Sequence, residues 1–258
     1  MEVISLQNVW VVKDGKAILK DITFSILKDK HTALIGQNGS GKTMLTKVIT
    51  GYQWASKGEV FVLSQKLGEV HVGQLRKTIG WVSSDLQSRF QQNFTAKEVV
   101  LSGYYASIGL FESPKKEVVK KAIEVMDFLE CGLLANCPFP LLSYGQQKRL
   151  LIARSLMCDP KLLILDEPCS SLDIKAKNEF LEFIEKLAQD KNGPTLVFVT
   201  HHLEEIVPSI TRVICLKNRT LETIGAKDTI LTSEIMSRVF GTNVKVKKAG
   251  GMFYTRYE

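Results

Sequence analysis

The 258-residue sequence predicts an α/β fold: a mostly parallel sheet at the core, an antiparallel β portion at the N-terminus and an inserted helical lobe. Three observations carry that prediction. The apolar run TALIG at 32–36 enters a Gly-rich loop and then a stretch with Met44, Leu45, Val48 and Ile49 at helical spacing. The runs KLLILDEP and TLVFVTHH read as strands buried on both faces, and the amphipathic KNEFLEFIEKLAQD separates them, which is the alternation that builds a parallel sheet. From about Thr95 to Cys158 the periodicity is helical instead.

Along the chain, VISLQNVWVV and AILKDITFSIL alternate apolar with polar residues, and Asp14-Gly15 between them is a turn signal, so an antiparallel start is expected. GEVFVL adds a further strand. Gly51 is placed to close the helix after the Gly-rich loop. In the helical stretch, AKEVVLSGYY and KKEVVKKAIEVMDFLE are two helices, the second with Pro114 near its start and Gly132 just past its end. A third helix follows LSYGQ.

Composition limits the function classes. With 45% hydrophobic and 24% charged residues the chain is globular rather than disordered. No apolar run reaches the ~18 residues of a membrane span, and MEVISLQNVW lacks the form of a signal peptide, so a cytosolic chain is expected. The five cysteines (Cys131, Cys137, Cys158, Cys169 and Cys215) show no CxxC pairing and read as small buried hydrophobes. The net charge of +7 is spread along the chain, its densest cluster, KVKK at 245–248, reads as a solvated tail, and no nucleic-acid partner is expected.

Two stretches carry chemistry. Gly36-Gln37-Asn38-Gly39-Ser40-Gly41-Lys42-Thr43 satisfies GxxxxGK[ST] between an expected strand and an expected helix, the context that a phosphate-binding loop requires. Its glycines let backbone N–H groups wrap phosphates, Lys42 would reach the β- and γ-phosphates, and the Thr43 hydroxyl would bind Mg²⁺. LLILDEP places Asp166 and Glu167 at the carboxyl end of a buried strand, where ligands of open α/β sheets collect. Asp166 suits a carboxylate that orients Mg²⁺, and Glu167 a general base for the attacking water. A third stretch, LSYGQ, opens a helix and looks built to hold an anion, although one nucleotide has only one triphosphate.

With these residues in view, the chain resembles the ATP-binding cassette family over nearly its whole length. GQNGSGKT is similar to its Walker A, LLILDEP to its Walker B with catalytic glutamate, LSYGQ to its signature, SSLD to its D-loop, and His201 to its switch histidine, His202 being the competing choice. The resemblance implies a P-loop NTPase core at 1–87 and 159–240, a helical lobe at 88–158 and a C-terminal tail at 241–258. It also implies ATP and Mg²⁺ as ligands and hydrolysis of ATP, with Gly36, Asn38, Gly39, Ser40, Gly41, Lys42 and Thr43 around the phosphates. Two cassettes would pair head to tail, so that Ser143, Gly145 and Gln146 of one chain cap the γ-phosphate held by the other, with Asp173 along the same interface.

Three departures stand out. Tyr144 replaces a glycine of the signature. Ser84 stands where the family has the Q-loop glutamine, either binding Mg²⁺ through its hydroxyl or leaving that role to Gln87. The aromatic that stacks on adenine is replaced at Val12 or Lys13, with Lys13 the residue assigned to the base; nearby Trp10 is assigned by alternation to the core.

The stretch TIGAKDTILTSEIMSRVFGTNVKV resembles tails of cassettes from importers of metal chelates and vitamins. That implies an ABC transporter subunit, peripheral on the inner face of the cell membrane. An integral membrane permease would dock on the helical lobe, with Phe90, Phe94, Tyr104 and Tyr105 as candidate contacts. The alternative is a cassette ATPase with a regulatory or macromolecular role and no permease.

Overall fold

The computed structural model describes residues 1–90 and 94–257. In chain order the elements are β1 (Glu2–Lys13), β2 (Lys16–Leu27), β3 (Thr32–Gly36), α1 (Lys42–Ile49), β4 (Lys57–Val62), β5 (Gln65–Lys66), α2 (Val72–Arg76), β6 (Ile79–Val82), α3 (Ser84–Ser88), α4 (Ala96–Tyr104), α5 (Lys116–Phe128) and α6 (Tyr144–Leu156). They continue with β7 (Leu162–Asp166), α7 (Ile174–Gln189), β8 (Thr195–Thr200), β9 (Arg212–Lys217), β10 (Thr220–Ala226), α8 (Lys227–Ile230), α9 (Ser233–Phe240), β11 (Val244–Ala249) and β12 (Met252–Tyr257). The chain forms two compact units, one of residues 1–72 with 181–258 and one of residues 73–180, and the boundary at 180 falls within α7.

The first unit holds an antiparallel sheet in the order β2-β1-β4-β5. Asp14 and Gly15 join β1 to β2 with φ of 50° and 71°, the two positive values that a tight hairpin turn demands. Val9 and Val11 are wholly buried while Trp10 between them is half-buried, so Trp10 lies on the opposite face of β1 and is not the core residue expected from alternation.

In the same unit β3 lies between β8 and β9 and runs parallel to both, and β10 closes the edge antiparallel to β9. Every residue of β3 and β8 is buried, which explains their unbroken apolar sequence. The lysines of KVKK are solvated as expected, but the segment is an ordered strand rather than a loose tail. It lies on β11, which pairs with β12 across Gly250-Gly251, and the hairpin buries Val244 and Phe253 while its lysines face outward.

In the second unit β6 and β7 pair in parallel, with Gly80 opposite Leu163 and Val82 opposite Leu165. α6 packs on β6, and a Cβ added to Gly80 would stand 3.2 Å from the Cβ of Ser155. α4 meets α6 so closely that a Cβ on Gly103 would come within 2.0 Å of the Arg154 carbonyl oxygen. A capping box, Thr95 with Glu98, starts α4; the sequence F-T-A-K-E carries its S/T-x-x-E signal.

Phe90 is buried, edge-on to Phe94 and Phe139 at 6.2 and 6.1 Å, with the Arg154 guanidinium 5.2 Å from its ring centre. It is therefore core and drops out of the docking candidates. Among the described residues, no helix is long and apolar enough to cross a membrane.

All five cysteines are free, and Cys131, Cys169 and Cys215 are buried. Burial pushes the Cys215 thiol up to about 12 and the Cys131 thiol to about 11, which leaves both protonated and inert.

Candidate nucleotide site

The first unit supplies the phosphate loop. β3 ends at Gly36, where a Cβ would stand 2.5 Å from the Leu216 carbonyl oxygen and 2.6 Å from Ser40 Oγ, so no side chain fits. Gly41, in left-handed conformation at φ 105°, is the N-cap of α1; it brings no side-chain acceptor, and the first turn contains no acid. The start of α1 therefore carries neither a side-chain cap from Gly41 nor an acidic side chain that would repel an anion.

Lys42 is 4% exposed and folds back over the loop, its Nζ donating to the carbonyls of Gly36 at 2.8 Å and Gln37 at 3.1 Å. Ser40 is equally buried, and its Oγ has no hydrogen-bond partner among the described residues. An orphaned hydroxyl in such a loop asks for an external acceptor. Asn38, Gly39 and Thr43 are exposed, and the Gln37 side chain donates to the Phe240 carbonyl at the end of α9.

At the end of β8, the Thr200 hydroxyl donates to the buried carboxylate of Glu205 at 2.6 Å and accepts from the His202 backbone N–H at 3.0 Å. That pins the strand end where His201 stands half-buried, its ring centre 4.1 Å from that of His202. His202 is turned to Glu204, with Nδ1 at 3.4 Å from the carboxylate. Lys13 and Val12 are exposed at the end of β1, and the Val12 N–H donates to Ser56 Oγ.

The second unit supplies the carboxylates. Asp166 is 4% exposed at the end of β7. Glu167 follows with φ 48°, a left-handed conformation rare for a side chain of its kind, so strain is stored at the residue assigned as general base. The Ser170 hydroxyl donates to the Glu167 carbonyl at 2.8 Å and fixes the turn. Asp173 accepts from the Ala176 N–H at 2.8 Å and caps α7.

The same unit carries the LSYGQ turn. Ser143 is the N-cap of α6 and forms a capping box with Gln146: Ser143 Oγ accepts from the Gln146 N–H at 3.3 Å, and Gln146 Oε1 accepts from the Ser143 N–H at 2.9 Å. Tyr144 points outward, 58% exposed. Gly145 behaves unlike the loop glycines. Its φ is not positive, and an added Cβ would meet only Leu172 and Ala176, each at an ordinary 3.6 Å.

Ser83, rather than Ser84, caps α3 by accepting from the Leu86 N–H, and Ser84 is exposed. Gln87 is buried and donates to Gln147 of α6 at 2.6 Å, a pairing that sequence spacing alone had no means to show.

The donor set fits a nucleotide. In the first unit, a glycine-capped helix start, a buried lysine and an orphaned hydroxyl suit a polyphosphate, and the exposed Thr43 hydroxyl is a hard oxygen of the kind Mg²⁺ prefers; in the second unit the Asp166 carboxylate is another. Residues 19–170 match the model of the family described as ABC transporter. The chain belongs to that family.

A relative from Bacillus subtilis (strain 168), the uncharacterised ABC transporter ATP-binding protein YlmA, is 40% identical over 245 residues, covering 95% of this chain and 93% of its own. An inward-facing transporter assigned to the metal-chelate type has a chain that superposes with a TM-score of 0.78 at 26% identity, over 99% of this cassette and 96% of that chain. The cassette MJ0796, solved as a dimer in a post-hydrolysis state with ADP and Pi, superposes with a TM-score of 0.73 at 26% identity, over 86% and 98%. The cassette is accordingly an ATP hydrolase of the ABC type.

Proposed function

We propose that two copies of the cassette close head to tail on two ATP molecules, and that closing and opening drive a membrane permease. Gly145 carries this reading. A glycine at the second position of a helix costs up to ~1 kcal/mol against alanine. The chain's own packing does not require it, because a Cβ would meet only ordinary contacts. A glycine lets the backbone at the amino end of α6 be approached closely, and a partner's γ-phosphate is the group that N–H donors and a serine hydroxyl there would recognise.

In this reading the phosphate loop and Lys42 grip the triphosphate of their own chain. Thr43 and Asp166, with Ser84 or Gln87, are the residues that would hold Mg²⁺, which when bound would supply positive charge to the phosphate oxygens. Glu167 takes the proton of the attacking water, His201 orients that water and the γ-phosphate, and Lys13 contacts the base. Ser143, Gly145 and Gln146 act on the partner's nucleotide, with Asp173 beside them.

The transporter role draws support from the names of the relatives and from the metal-chelate type neighbour. The permease would meet the second unit, where Phe111, Phe128, Leu133 and Leu141 are large apolar side chains exposed to solvent. The exposed Ser84 favours a second reading, a cassette that works without a permease.

Glu167→Gln tests both. It should retain ATP yet form a stable dimer with Mg-ATP, measured by light scattering; a variant that stays monomeric at saturating ATP contradicts head-to-tail closure. A multi-span membrane protein co-purifying with it in near-equal amount supports the transporter, and its absence from solubilised membranes favours the second reading.

A further inference from the structure

α6 contains a buried charge that the proposed chemistry does not use. Lys148 is 1% exposed, and its Nζ has no hydrogen-bond partner among the described residues. An ammonium taken out of water without a partner is costly, and lysine is seldom fully buried unless paired. Its location follows from the packing of α6 on the β6–β7 pair. Ser155 meets Gly80, which lies opposite Leu163. α6 is joined to β7 by a short connection and so runs back along the strands.

Lys148 precedes Ser155 by seven residues, about 10.5 Å of helix at ~1.5 Å per residue. That length spans about three residues of strand at ~3.3 Å each, which carries the level from Leu163 to Asp166. The Gln87–Gln147 bond independently brings the amino end of α6 to the segment that leaves the carboxyl end of β6. Electrostatics agree: burial lowers the pKa of Lys148, and the groups that oppose this are Asp166, then Cys169, then Glu167.

We propose that Lys148 is a positioning residue for hydrolysis: its ammonium stands level with the Asp166–Glu167 pair and supplies the positive charge that holds two adjacent carboxylates side by side. Because it lies on the helix that Ser143 opens, a partner's phosphate docking at the start of α6 acts on the same rigid element that carries this charge. The proposal rests on the ATPase reading above and adds a residue to it.

The test compares Lys148→Met, which keeps the length and apolar stem, with Lys148→Arg, which keeps the charge. The Met variant should lose about 10- to 100-fold in kcat, as expected for a group that orients a metal-site ligand. Its ATP affinity, by equilibrium titration, should stay within about twofold, since the phosphate grip lies elsewhere. The Arg variant should recover a measurable part of the lost rate.

A role in packing alone predicts the reverse order, because methionine fits a buried slot better than arginine does. Wild-type kcat in the Met variant, or an Arg variant no faster than the Met one, would overturn the proposal. Failure of the underlying reading looks different: Glu167→Gln would then hydrolyse ATP as fast as the unaltered chain.

Discussion

The cassette begins two helices with glycine-bearing turns suited to phosphate, and the two are built in opposite ways. The turn into α1 is held open: Gly41 caps without a side chain, Ser40 has an orphaned hydroxyl, and Lys42 leans on the loop carbonyls. The turn into α6 is closed on itself by the Ser143–Gln146 capping box. The first leaves a buried serine hydroxyl without an acceptor of its own among the described residues. The second is a finished helix start whose serine hydroxyl can still donate to a visitor. In the proposed pairing a single chain would bind ATP through the first alone, and the second would matter only when another chain brings a nucleotide to it.

The largest effects should separate the two turns cleanly. Lys42→Ala is expected to weaken ATP binding by about 10- to 100-fold, the value of one or two charge-assisted hydrogen bonds. Ser143→Arg should leave the affinity of the monomer for ATP unchanged in a fluorescence titration, yet reduce hydrolysis by about 100-fold or more through loss of a donor to the developing charge. A loss of monomer affinity in Ser143→Arg would break the comparison.

The glycines sharpen it. Gly41→Ala must hold a side chain at φ 105° and 2.6 Å from Leu19 Cδ2, and should destabilise the chain by roughly 1–2 kcal/mol or more. Gly145→Ala should leave the melting temperature unchanged or raise it, by up to ~1 kcal/mol of stability, and still impair hydrolysis. A destabilised Gly145→Ala would return that glycine to the fold and remove the main support for the two-chain site.

The smallest effect concerns the scaffold beneath the first turn. His31 precedes β3, its Nδ1 accepts from the Leu196 N–H at 3.0 Å and its Nε2 donates to the Ala188 carbonyl at 2.9 Å, an arrangement only the neutral ring can make. Burial, partly offset by that carbonyl, lowers its pKa from 6.5. With the folded value below the unfolded one, its stabilisation is complete above about pH 6.5 and declines as pH falls through the lowered value. The melting temperature should drop between about pH 7.5 and 5.5, and His31→Gln should flatten that slope; an unchanged slope would remove His31 as its source.

Much of this was legible in residue order because backbone demands leave marks. Asp14-Gly15 announced a hairpin, the unbroken apolar runs of β7 and β8 announced buried strands, and GxxxxGK[ST] stands, as expected, between a strand and a helix. What escaped notice depends on long-range pairing or on which way a side chain turns. Gly250-Gly251 was an available hairpin signal, but the lysines around it suggested a tail. Trp10 has the right character for core, and only the bulged register of β1 puts it on the other face. Gln87 meets Gln147 sixty residues away. Lys148 sits in a run of basic and amide residues that looks solvated, yet it is 1% exposed, which residue order did not reveal.

The most direct test mixes the two inactive chains. Lys42→Ala has a broken phosphate loop and an intact signature turn, and Ser143→Arg has the reverse. In head-to-tail pairing, a mixed dimer contains one site with both defects and one with neither, so combining the variants with Mg-ATP should restore hydrolysis that neither shows alone. If the mixture stays as inactive as its components while a mixed dimer is demonstrably formed, the phosphate loop and the signature turn do not complete each other across two chains, and the account is wrong.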